Sequence, residues 1–176
     1  MNKYVYYLKK IGVIFIVLSL FGCKSVMEQQ TISKEKINFT LDSWHKAAAE
    51  ANYNSYFSLM ANDAVFIGTD ATENWNKTAF QAYAKPYFDK GKAWNFTVLD
   101  RHIYFDKTGK TAWFDELLNT QMKICRGSGV LVKIANEWKI QQYVLSMTIP
   151  NDNSNEVIRI KTPIEDTMIK TMRSTK

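Results

Sequence analysis

From Ala93 onward the chain is written as long alternating segments joined by tight turns, and this constrains the fold more than any other feature. "AWNFTVLDRHIYF" (93–105), "TAWFDELL" (111–118), "RGSGVLVKI" (126–134) and "WKIQQYVLSMTI" (138–149) are rich in β-branched and aromatic residues. Between them lie "DKTGK", with Gly109 where a turn calls for positive φ, and "ANE". Short turns of this kind join antiparallel neighbours, so the second half is a meander.

The first half carries a different period. Ile37, Leu41, Trp44, Ala48 and Ala51 recur at helical spacing, predicting a helix over 33–51 with Ser33 as its cap. Tyr56, Phe57 and Met60 indicate a second short helix, "AND" (61–63) a turn, and "AVFIGTDATENW" a small hairpin ending at Trp75. A third helix is expected from Asn76, with Phe80, Tyr83, Ala84, Tyr87 and Phe88 as its apolar stripe, a bend at Pro86 and a stop at Gly91. Helices followed by a meander predict an α+β architecture, a curved antiparallel-rich sheet with three N-terminal helices on one face. Gly127 and Gly129 mark a bulge or bend in that sheet.

The N-terminus speaks to location. Lys3, Lys9 and Lys10 precede the uncharged apolar run 11–21, followed by Gly22 and Cys23. That is the layout of a secretory signal, and the run is shorter than the ~20 residues that span a bilayer. "LFGC" resembles the bacterial lipobox, which implies acylation of Cys23 and attachment to a membrane of the cell envelope, outside the cytoplasm. The organisation expected is therefore a signal peptide over 1–22, a polar tether over 23–35, one domain over 36–150 and a tail over 151–176. In the tail, "TPIEDTMIKTMRS" predicts a short helix capped by Thr162 with Pro163 in its first turn.

Removing 1–22 takes three lysines and lowers the formal charge from +6 to +3 (6 − 3). So small a charge, with no basic cluster interleaved with aromatics, argues against a nucleic-acid partner. With Cys23 acylated, Cys125 has no disulfide partner and reads as a packed hydrophobe. No zinc signature, nucleotide loop or nucleophile elbow is present, and His45 has Ala49 rather than a ligand at i+4. Neither a metal nor a cofactor is called for.

The segments "LDSWHKAAAEAN", "YFSLMANDAVFIGTDATENW", "FQAYAKPYFDKG", "TAWFDELLN" and "CRGSGVLVKIANEWKIQQYVLS" resemble, in order, the SnoaL-like branch of the nuclear transport factor 2-like superfamily. The resemblance covers residues 36–150 and implies a cone-shaped sheet wrapped by three helices, with a pocket between them. It also implies frequent homodimers through the outer face of the sheet. The superfamily includes isomerases, cyclases, dehydratases and proteins that only bind, and no catalytic motif carries over residue by residue.

Adjacent Asp115 and Glu116 must point to opposite faces of their strand. Closing the preceding hairpin on 107–109 places Asp100, His102, Tyr104, Ala112, Phe114 and Glu116 on one face. Arg101, Ile103, Trp113 and Asp115 fall on the other, with Arg101 opposite Asp115 as an ion pair. On this register Glu116 faces the pocket beside His102 and Tyr104, and Asp115 faces outward. The candidate catalytic residues are Glu116, His102 and Asp115, the carboxylates as bases. Candidate wall residues are Tyr56, Trp75, Tyr83, Tyr104 and Phe114, with Arg126 and Gln142 as polar contacts.

Three readings remain open at this point. One is a membrane-anchored module binding a small apolar or amphipathic molecule in an aromatic cone. Another is a cofactor-free isomerase, cyclase or dehydratase. The third is a dimerisation or protein-interaction module.

Overall fold

The computed structural model describes residues 28–174, so the signal peptide, Cys23 and the start of the tether lie outside the described residues. The first helix, α1, occupies 28–49, so residues 28–35 of the expected tether are helical. "EQQTISKEK" lacks Gly and Pro and is rich in good helix formers, which extends the helix ahead of Ser33. Helix α2 (Tyr53–Ser58) follows, with the Asn52 side chain accepting the Ser55 amide at 3.1 Å. Strands β1 (Met60–Ile67) and β2 (Asn74–Asn76) form the small hairpin. The expected turn at 61–63 is part of β1.

Helix α3 (Lys77–Asp89) starts where Asn76 accepts the Ala79 amide at 2.9 Å, and it runs unbroken through Pro86. Strands β3 (Thr97–Phe105), β4 (Thr111–Thr120), β5 (Lys123–Ile134) and β6 (Glu137–Met147) make the meander. The six-stranded sheet has the order β2-β1-β6-β5-β4-β3, antiparallel except where β1 runs parallel to β6. Mixed α+β architecture with a curved open sheet against the helices is thus the fold.

The inner face of the sheet is a set of cross-strand rows. Phe66, Tyr143, Gly129, Phe114 and Ile103 lie side by side across β1, β6, β5, β4 and β3. In the next row come Leu145, Gly127, Glu116 and Arg101. Alternating rings with glycines lets α1 and α3 pack close. Trp44 from α1 meets Tyr143 edge-on at 4.7 Å, and Phe80 from α3 stacks on Phe66 at 3.9 Å. Burying side chains of this size contributes roughly 1.5–3 kcal/mol each. The register shift in β5–β6 lies between Val130 and Leu131, just past the glycines that suggested it.

The β3–β4 register differs from expectation by one residue. Asp106 pairs with Thr111, leaving a four-residue loop over 107–110. The Asp106 carboxylate accepts the amides of both Lys110 and Thr111, drawing one more residue into the turn. Arg101 therefore lies opposite Glu116, and His102 opposite Asp115.

The tail departs too. A 3-10 turn (Asn151–Asn153) leads into one continuous helix, α4 (Ser154–Ser174), with Pro163 inside it. The expected capping hydroxyl of Thr162 instead bonds the Ile158 carbonyl one turn back. None of the residues of α4 is buried, and Ile160, Ile164 and Met172 are exposed. No helix among the described residues is long and apolar enough to cross a membrane.

Candidate functional site

Two neighbouring arrangements occupy the space beneath the helices, one ionic and one aromatic. The ionic one centres on Glu116, 1% exposed. Its Oε2 accepts Arg101 Nε at 2.8 Å, and its Oε1 accepts His45 Nε2 at 2.8 Å and the Tyr143 hydroxyl at 3.2 Å. A carboxylate only accepts, so His45 carries its hydrogen on Nε2. Arg101 Nη1 reaches on to Asp42 Oδ1 at 2.8 Å and Asn38 Oδ1 at 3.1 Å, while its buried Nη2 has no partner.

Burial alone would raise the pKa of Glu116. The His45 hydrogen bond and charge, and the Arg101 guanidinium, outweigh that and hold it below its ordinary value. The Tyr143 phenol is pushed far up by burial and by the Glu116 charge, and stays a neutral donor. Gly127 makes the arrangement possible. A Cβ there would sit 2.3 Å from the Tyr143 hydroxyl and 2.9 Å from Glu116 Oε1.

The aromatic arrangement is a hollow of about 190 Å³ at the β1–β6 side of the sheet. Its walls are rings: Trp75 stacks on Tyr83 at 4.5 Å, and Phe66, Phe80, Trp94 and Phe96 close the interior. Leu145 and Met122 complete the apolar surface. The polar groups are Thr69 and Glu73 from the β1–β2 turn and Gln121 from the β4–β5 turn. Tyr83's phenol is pushed up to about 12 by burial, a hydrogen bond with Tyr87, and the Tyr87 and Glu73 charges. The ionic cluster does not line this hollow. Ring contacts link the two: Phe96 lines the hollow and meets the His45 ring edge-on at 5.9 Å, and Phe66 lines it and stacks on Tyr143 at 5.6 Å.

A larger cleft of about 560 Å³ lies elsewhere, between α1 and the β5–β6 turn, beside the exposed Phe39 and the Lys139–Glu137 ion pair. It is bordered by charged side chains and lacks the convergent rings of the hollow. Among the described residues no group of three or more His, Cys, Asp or Glu side chains is placed to hold a metal ion.

Of the candidate wall residues, Trp75 and Tyr83 line the hollow. Tyr56 and Phe114 are core, 0% and 3% exposed, rather than wall. The other candidates fall on the opposite face. His102 and Tyr104 are exposed there because the longer β3–β4 loop turns β3 over relative to β4. His102 lies 3.4 Å from Asp115 and 3.6 Å from Asp100, at solvent-exposed positions. The expected Arg101–Asp115 pair is replaced by Arg101–Glu116. Arg126 and Gln142 alternate with the inward Gly127 and Tyr143, so both point outward, and neither lines the hollow or the larger cleft.

His45 and Tyr143 were not among the candidates, nor were Trp94 and Phe96. The signal for His45 was available: Asn38, Asp42 and His45 recur at i, i+4 and i+7, a polar strip beside the apolar stripe of α1.

Comparison with known proteins places this geometry. A solved domain with a cystatin-like fold from Nostoc punctiforme is similar with a TM-score of 0.60 at 13% identity, over 83% of this chain and 98% of that one. An NTF2-like protein from Pseudomonas putida gives 0.59 at 13% identity, over 70% and 92%. A candidate dehydratase of the NTF2-like family from Streptomyces avermitilis gives 0.57 at 12% identity, over 66% and 96%. At such identities the likeness is one of fold. No curated protein matches by sequence. The model of the SnoaL-like domain family matches residues 37–150, the span that holds both the hollow and the ionic cluster. The chain belongs to the SnoaL-like domain family, within the NTF2-like fold.

Proposed function

We propose that this protein binds a small apolar or amphipathic molecule in the ring-lined hollow, without converting it. The observation that carries this reading is the separation of the hollow from the acid. Trp75, Tyr83, Trp94 and Phe96 offer an aromatic surface, while Glu116 is not among the residues lining the hollow and has both oxygens engaged. A general base must come within about 2.6–3.2 Å of the proton it takes, directly or through one water. Glu116 is held instead as an anion between a guanidinium and an imidazole. Asp115, the other candidate base, stands on the outer face beside His102.

The hollow is smaller than the ~300–1,000 Å³ typical of drug-sized ligands. It suits a single ring or a compact head group. A screen of small ring compounds against the full-length protein, read by tryptophan fluorescence, tests this. Trp75→Leu should abolish binding and Glu116→Gln should retain it. Conversion of a bound compound that Glu116→Gln abolishes would replace this reading with the enzymatic one.

Anchoring through an acylated Cys23 at the bacterial cell envelope, outside the cytoplasm, is part of the same proposal. It rests on the "LFGC" motif after a short apolar run. Palmitate labelling that Cys23→Ser eliminates supports it; an unlabelled native protein removes it. A homodimer is proposed through the outer face of the sheet, where Trp113 stacks on Tyr104 with both about half exposed. Sedimentation of Trp113→Glu against the native protein decides that point.

A further inference from the structure

We infer that the hollow is selective for an organic cation, a substituted ammonium group, with Glu73 as the residue that recognises its charge. This rests on the binding reading above and names the ligand class. Among the described residues, no Lys, Arg or His side chain lines the hollow, and Glu73 supplies its one carboxylate. Six aromatic side chains line it as well, with Thr69 and Gln121 as the neutral polar groups. The faces of aromatic rings are negative, and a cation over them is attracted by roughly 0.5–2 kcal/mol, more as water is excluded. A hollow lined by rings and one carboxylate, with no cationic side chain, favours a compact cation over an anion.

Glu73 is held in place rather than trailing from its turn. Its Oε2 accepts the Asp70 amide at 3.2 Å, and its backbone closes the turn through Gly68 N–H to Glu73 O at 3.0 Å. The carboxylate folds across Gly68 so closely that a Cβ on Gly68 would lie 2.1 Å from Oε2. The missing side chain at 68 is therefore the seat of the carboxylate. Proximity of Glu73 also contributes to keeping the Tyr83 phenol protonated, so the wall beside it stays uncharged.

Choline and 3,3-dimethyl-1-butanol test the inference, since they match in shape and differ in charge. Binding of each to the full-length protein is measured by tryptophan fluorescence and calorimetry. Choline should bind at least about tenfold more tightly, equivalent to ~1.4 kcal/mol. Glu73→Gln should bring the ratio of the two affinities close to one. Gly68→Ala should lower it likewise, because the flexible end of Glu73 gives way to the new methyl group. Asp115→Asn, on the other face, should keep the native ratio. Equal affinities on the native protein would overturn the inference while leaving a hydrophobic hollow in place. Binding of neither probe, nor of any ring compound, would overturn both.

Discussion

Arg101 lies directly opposite Glu116 across β3 and β4, with Nε 2.8 Å from Oε2, and the pair is almost fully buried. Two charges have left water and paired with one another, with His45 and Tyr143 both donating to the second carboxylate oxygen, Oε1. Such a pair adds little net stability over a well-packed apolar pair, yet breaking it from one side is expensive.

Arg101→Met should therefore destabilise the fold by about 3–5 kcal/mol, because Glu116 stays buried without its counter-charge. Pairing Arg101→Met with Glu116→Leu should recover part of that loss, short of all of it because His45 Nε2 and the Tyr143 hydroxyl lose their acceptor. Chemical denaturation of the single and double variants measures it, and a double variant as weak as the single one would contradict the account.

Stability should fall on acidification through Glu116. Its folded pKa lies below the ordinary 4.5, so the unfolded chain takes up the proton first as pH drops. The contribution is fully present above about pH 4.5 and is lost as pH falls further, through the folded value. Urea midpoints between pH 7 and pH 3 should show this slope, and Glu116→Gln should flatten it.

Gly127→Ala should cost about 1–3 kcal/mol, the usual toll of overfilling a packed interior. The new methyl would fall on the Tyr143 hydroxyl and Glu116 Oε1. Tyr143→Phe in the same chain should recover part of the loss by removing the nearer atom. Thermal unfolding of the two variants provides the comparison.

His102→Ala and Asp115→Asn should each change stability by less than about 1 kcal/mol, because their ion pair is solvent-exposed. The contrast with Arg101, one position away on the same strand, is the sharper measurement.

The alternation of β4 made it legible that Asp115 and Glu116 point to opposite faces, and small Ala112, on the face of Glu116 and suited to close helix packing, marked that face as the inner one. The partners of Glu116 were not legible in the same way. They depend on the β3–β4 register, and the turn sequence "DKTGK" suits a three-residue loop as well as a four-residue one. The Asp106 side chain decided between them through bonds to two successive amides. His45 illustrates a different limit: its partner lies 71 residues away, and only the packing of α1 on the sheet brings them together. Trp94 and Phe96 were hidden for a third reason. They look like the start of a strand, whereas β3 begins at Thr97 and leaves both rings free to turn inward. By contrast, Asn76 as the start of α3 was readable, since a cap is a local bond between near neighbours.

The loop over 107–110 thus carries more than connectivity. Its length acts as a parity switch for the strand before it. Excising one residue there would exchange the wet and dry sides of β3, offering an imidazole to the buried carboxylate and casting the guanidinium out to solvent. A segment at the rim of the molecule thereby decides which side chain meets the buried carboxylate.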